Sequence, residues 1–165
     1  MPTQDRRRDI AGLIGWFVVT FAASAIGAQA SISARTFYAE LTQPAWAPPA
    51  WLFGPVWTML FTLMAIAAWM VWRSGGFAAH RAALLLFGVQ LGLNVLWSWL
   101  FFAWRLGGAA FVEVLMLWAA IGMTMALFWR VKRLAALLLA PYLLWVSFAA
   151  ALNFWLWRYN PTLLG

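Results

Sequence analysis

The chain has 165 residues, 66% of them hydrophobic and 9% charged, with a formal net charge of +7. A soluble domain carries roughly a quarter charged residues and about half apolar, so this composition excludes a water-soluble fold and reads as an all-α integral membrane protein. The basic residues stand at the ends of apolar runs rather than along one face, which argues against nucleic acid as a partner, and with no cysteine the chain has no disulfide, thiolate nucleophile or cysteine metal ligand.

Five apolar stretches, residues 10–32, 51–72, 82–104, 108–129 and 134–157, are each long enough to cross the hydrocarbon core, which takes about 20 residues as a helix. They predict a single five-helix transmembrane domain over residues 1–165. The first stretch follows a basic start, Arg6 to Arg8, as a signal peptide would. It runs on past Ala30, too long for a cleaved apolar region, and is read as a spanning helix.

The connection from Ser33 to Ala50 is the longest and most polar. Pro44, Pro48 and Pro49 fix φ and remove backbone donors, so residues 43–50 are predicted to form a stiff extended loop. That loop carries Trp46 and Trp51 as a lid over the outer helix ends. Trp57 follows in the second helix. The remaining connections are short and make successive helices antiparallel.

In the third helix Gly88 and Gly92 form a small-xxx-small pair that lets backbones approach closely. The pair serves a homodimer seam or packing inside the bundle, and the pattern alone leaves both open. Gln90, Asn94 and Trp97 share one face of the same helix. Glu113 falls near the start of the fourth helix, where the dipole favours an anion, and is read as a helix-end charge. Pro141 interrupts the fifth helix and predicts a kink or a freed carbonyl. Trp145 and Asn153 lie beyond it.

Eight Lys and Arg residues flank the side that holds the N-terminus, whereas Arg35, Arg105 and Arg158 are the only three on the other. The positive-inside rule then puts the N-terminus in the cytoplasm and the Trp/Pro loop outside. A bacterial inner membrane is favoured and an outer membrane stays open.

Metal and hydrolytic chemistry lack their parts: His80 is the one histidine, and no carboxylate pair accompanies it. No metal site is expected. Gln90, Asn94 and Asn153 are costly in lipid and are expected to face the bundle interior. They serve either a ligand or the joining of helices, at about 0.6 kcal/mol for each interhelical hydrogen bond. Of the 14 tryptophans, several near helix ends belong to interfacial belts. Trp145 and the loop cluster do not. Indoles lining a cavity suit a large, flat aromatic ligand, against the competing reading of bulky core filler.

Three blocks, WAPPAWLFGPVWTMLF, QLGLNVLWSWLFF and PYLLWVSFAAALNFWLWRYN, resemble the translocator protein family, also called tryptophan-rich sensory proteins or peripheral-type benzodiazepine receptors. The blocks stand in the family's order and spacing. The resemblance implies a homodimeric five-helix membrane protein that binds protoporphyrin IX between the outer helix ends and the first loop. It also implies sterols and drug-like small molecules as further ligands, and requires no cofactor. Trp46, Trp51, Trp57, Gln90, Asn94, Trp97, Tyr142, Trp145, Ala149, Leu152 and Asn153 match the binding blocks. Trp57 and Trp145 match the pair linked to light-dependent porphyrin breakdown. The third helix, with Gly88 and Gly92, matches the family's dimer seam. The sequence departs from the family at Gln43, where a lysine is common, which leaves Arg35 as a substitute partner for a ligand carboxylate. It departs again at Phe154, where the sterol pattern has tyrosine between Leu152 and Arg158, and at Ala109, where some members carry a pocket tryptophan. The expected function is a porphyrin receptor or sensor in tetrapyrrole regulation; a light-dependent porphyrin-degrading enzyme and a transporter are the alternatives.

Overall fold

The computed structural model describes residues 2–165. Its order is α1 (Pro2–Ala30), α2 (Ala34–Glu40), a 3-10 turn (Ala50–Leu52), α3 (Phe53–Arg73), α4 (Gly76–Ala79), α5 (Arg81–Ser98), a π turn (Trp99–Ala103), α6 (Gly107–Val131), α7 (Arg133–Leu138), α8 (Ala140–Tyr159) and α9 (Pro161–Leu164). Five segments are long and apolar enough to cross a membrane: Arg6–Ala30, Ala50–Arg73, Arg81–Ala103, Gly107–Val131 and Arg133–Tyr159. No strand occurs among the described residues. The protein is a five-helix transmembrane bundle, as its five apolar stretches predict.

Three local features differ from the sequence expectations. The connection after the first span is not loop throughout, because residues 34–40 form α2, which buries Phe37 and Tyr38. The apolar pair Phe37 and Tyr38 gives this short helix a face to bury, and packing rather than propensity holds so short a helix. The third span does not run as regular α-helix to Trp104. It widens into the π turn, closed by Trp104 N–H donating to the Trp99 carbonyl at 2.8 Å, a geometry that usually appears as a single inserted turn. The fifth span is broken rather than only bent: α7 ends at Leu138 and α8 starts at Ala140. Pro141 has no N–H to give and its ring crowds the preceding turn. Leu139 N–H closes the end of α7 on the Ala136 carbonyl at 3.0 Å.

That break decides the shape of the bundle. α7 packs against both α6 and α3, while α8 packs chiefly on α6. The half of the bundle away from the Trp/Pro loop, termed the inner half, is therefore tightly filled, with Met64, Ala67, Ala68, Val71, Phe87 and Phe128 essentially inaccessible. The outer half is left to a second apolar cluster built by Phe37, Tyr38, Leu41, Phe101, Leu152 and Leu156. At the outer end Gly107 and Gly108 open α6, and a Cβ at either would come within 3.0 Å of Trp157. Ala109 itself is exposed, so it enlarges no internal corner.

Candidate functional site

A cavity of about 490 Å³ lies in the outer half, between α1, α2, the 3-10 turn, α3 and α5. Its size falls within the roughly 300–1,000 Å³ of small-molecule sites. Phe53, Trp57 and Phe61 from α3 form one wall, and Trp97 with Phe102 forms the other. Ser24, Gly27, Ala28 and Ser31 supply a small-residue wall from α1. A Cβ at Gly27 would meet only the Ser98 hydroxyl region, at 3.3 Å. Arg35 and Trp51 stand at the rim.

The π turn explains how α5 furnishes an aromatic wall. It places the consecutive rings of Phe101 and Phe102 around Trp97: Phe101 stacks on the indole at 5.4 Å and Phe102 meets it edge-on at 5.7 Å. A regular helix would fan successive side chains about 100° apart.

The Trp/Pro loop, residues 41–49, is tied down at both ends. The Tyr38 hydroxyl donates to the Pro48 carbonyl at 3.2 Å. The Gln43 amide donates to the Tyr38 carbonyl. Asn160, at the end of α8, accepts from Thr42 N–H at 2.7 Å and donates to the Thr42 carbonyl at 3.0 Å. Its amide also donates to the Leu156 carbonyl at 2.9 Å. Burial pushes the Tyr38 hydroxyl pKa above its usual value of 10.0, since desolvation disfavours the phenolate.

The residues singled out from the sequence divide between two spaces. Trp51, Trp57, Asn94 and Trp97 line the main cavity. Trp145, Ala149, Leu152 and Asn153 line a narrow slot of about 20 Å³ between α5 and α8, room for about one water. Tyr38, Phe53, Trp97 and Phe102 border both and form the partition. Trp57 and Trp145 therefore do not face one chamber: the Phe53 ring packs edge-on to Trp145 at 5.9 Å. Trp57 packs instead on Phe61 at 5.6 Å and Tyr142 at 6.2 Å. Trp46 lies outside both spaces, against Phe148 at 5.7 Å.

The intramembrane amides are joined to protein partners. Asn94 donates to the Tyr142 hydroxyl at 3.1 Å, linking α5 to α8. Trp97 donates to the Asn153 carbonyl oxygen at 3.0 Å, and the Asn153 amide donates to the Gly107 carbonyl at 3.0 Å. One side chain thus ties α5, α6 and α8 together. The interhelical role holds for both asparagines, and Asn94 also faces the cavity. Gln90 lies deeper, with its amide 4.0 Å from the Met64 sulfur.

Glu113 departs from its expected place. It is the seventh residue of α6, not at its end, and it is buried with neither carboxylate oxygen in a hydrogen bond. Gly88 and Gly92 are exposed, and a Cβ at either would meet nothing within 4 Å. They do not serve packing within one bundle. Leu152 is buried whereas Phe154 and Arg158 are exposed, so the sterol-like trio does not share one face. His80 lies beside the Ser74 hydroxyl at 3.1 Å.

Sequence reasoning missed three contributors: Tyr38, Phe102 and Asn160. Tyr38 lies in the connection read as loop, and Phe102 lies near the apolar end of the third span. Asn160 directly follows the last spanning helix, the one local hint that it could reach a loop.

Comparison with known proteins gives a consistent picture. The sequence model described as the TspO/MBR family matches residues 15–158. The tryptophan-rich protein TspO of Chlorobaculum tepidum is 44% identical over 129 residues, covering 78% of this chain and 82% of the relative. Protein CrtK of Rhodobacter capsulatus is 42% identical over 150 residues, covering 88% of this chain and 91% of the relative. The human translocator protein is 40% identical over 126 residues, covering 75% of each.

Proposed function

Because this chain belongs to the TspO/MBR family, we propose that it is a membrane receptor and sensor of porphyrins, with protoporphyrin IX bound in the outer-half cavity and a role in tetrapyrrole regulation. The observation that carries this reading is the cavity itself. It offers about 490 Å³ between flat aromatic walls and is bordered by α2 and the 3-10 turn, in a protein with few ionisable groups in its spans. Flat rings gain from offset or edge-on contact with indoles, at about 0.5–1.5 kcal/mol per pair beyond area burial. The α5 face bearing Gly88 and Gly92 is the proposed seam of a homodimer. On the same proposal the N-terminus lies on the cytoplasmic side of a bacterial inner membrane, which the distribution of Lys and Arg supports.

The test is titration of protoporphyrin IX into purified protein in the dark, following tryptophan fluorescence. Saturable quenching is expected. Trp57→Phe weakens the affinity by about threefold, because phenylalanine keeps an aromatic face but loses part of the indole's surface and its N–H. Trp145→Phe, on the far side of the Phe53 partition, changes it less. Absence of saturable quenching sinks the porphyrin reading.

A second reading, light-dependent porphyrin breakdown, is favoured by one observation. The Trp57 indole lines the cavity and its N–H has no hydrogen-bond partner among the described residues. Illumination of the complex decides it: a new absorbing product that Trp57→Phe prevents marks an enzyme, and an unchanged spectrum marks a sensor.

A further inference from the structure

Glu113 takes no part in the site described above. It is 5% exposed, and neither carboxylate oxygen has a hydrogen-bond partner among the described residues. Moving an unpaired carboxylate out of water costs far more than moving the neutral acid, so a side chain in this setting keeps its proton. An ionisable residue inside a membrane bundle points to function, with a partner to be sought beside it.

That partner is on α8. Among the described residues α5, the π turn, α7 and α8 pack against α6. Of their titratable side chains, Arg81, Arg133, Arg158 and Tyr159 are exposed at helix ends, as are Arg105, Arg130 and Lys132 around α6 itself. Tyr142 is buried, at 1% exposure, and lies close enough to Glu113 for a carboxylate charge to act on its hydroxyl. The Tyr142 oxygen accepts from the Asn94 amide at 3.1 Å, while its own proton has no acceptor among the described residues. Asn94 in turn lines the main cavity. Behind the cavity wall there thus stand a phenol and an acid, each with an unspent proton.

We infer that Glu113 is a proton-binding site of the bundle, filled at neutral pH and linked through Tyr142 to the Asn94 wall of the cavity. A ligand acceptor that takes the Asn94 amide frees the Tyr142 oxygen to accept from the Glu113 O–H, so ligand and proton favour one another. Only the choice of cavity ligand in the last measurement rests on the porphyrin reading.

The chain has only four acidic side chains, and Glu40 and Glu113 are its only glutamates, which makes infrared spectroscopy selective. Wild type in detergent at neutral pH is expected to show the C=O stretch of an uncharged carboxylic acid with few hydrogen bonds. The band shifts in protein grown with glutamate carrying heavy carbon in its side-chain carboxyl, and it disappears in Glu113→Gln. Asn94→Ala moves it to lower frequency as the acid gains an acceptor, and Tyr142→Phe moves it to higher frequency as the neighbouring dipole is lost. Absence of a label-sensitive acid band in wild type overturns the inference without any substitution. A band that neither Asn94→Ala nor Tyr142→Phe moves overturns the link to the cavity. Protoporphyrin IX dimethyl ester, which has acceptors but no carboxylic acid, is then titrated in the dark at about pH 6 and about pH 9, a span that reaches the range documented for buried glutamates. Wild type is expected to bind about fivefold more tightly at the lower pH, the small end of typical coupling between sites. Glu113→Gln, a fixed hydrogen-bond donor, binds tightly at both. Equal binding by wild type at the two pH values overturns the link. If the ester binds at neither, the porphyrin reading fails and the infrared bands decide the proton site by themselves.

Discussion

Asn160 makes three hydrogen bonds with one amide, and two of them reach Thr42, 118 residues away in the chain. Oδ1 and Nδ2 satisfy both backbone groups of Thr42 at once, in the manner of a strand partner. The residue is 5% exposed, so its removal strands backbone groups that water cannot easily reach. Such a loss costs about 1–3 kcal/mol. Asn160→Ala is therefore expected to lower the melting temperature in detergent and to speed protease nicking within residues 41–49. An unchanged nicking rate would show that the Tyr38 and Gln43 contacts hold the loop without it. No sequence pattern announces such a pairing, because its two halves lie at opposite ends of the chain.

α5 has two faces with different tasks. One buries Leu84, Phe87, Gln90, Leu91 and Asn94. The other exposes Gly88 and Gly92 together with Leu85, Val89 and Leu96. A glycine inside a helix costs about 0.8–1.0 kcal/mol relative to alanine, and nothing in the bundle recovers that cost here. Gly92→Leu separates the two uses of the pair left open by the sequence. Since the position is open space, the variant is expected to keep or raise the thermal stability of the monomer. A partner packed against that face would be pushed off, and light scattering in detergent would shift from dimer to monomer mass. An unchanged mass in both proteins would move the seam elsewhere. The α7–α8 break shows the limit of reading at this scale. Pro141 announces a disturbance, but the direction of α8 follows from which neighbours each half can pack against.

The whole molecule is asymmetric about the membrane midplane, filled on the inner side and hollow on the outer. Its charges are asymmetric as well, with Arg73, Arg81, Arg130, Lys132 and Arg133 at the ends opposite the Trp/Pro loop. The native chain lacks cysteine, so single replacements report topology cleanly. Ala45→Cys, in the exposed loop, is expected to react with an impermeant thiol reagent applied to intact cells. Ala78→Cys, in exposed α4, reacts only after the membrane is opened. The reverse pattern would invert the proposed orientation.

Sequence by itself determined the number of spans, their order and the family. Each of these depends on local quantities: the length of an apolar run, the charges at its ends and the spacing of Trp and Pro. It also identified the indoles and amides of the outer half, because polar groups in lipid are too costly to be scattered. Only the tertiary structure decided how those residues are shared out. Phe53 and Trp97 partition what looked like one chamber, so Trp57 and Trp145 face different spaces. Asn153 is spent on joining helices, and Glu113 is buried rather than placed at a helix end. The physical reason is that a side chain's partners depend on helix rotation and tilt. Packing between distant segments sets both, and no single segment encodes them.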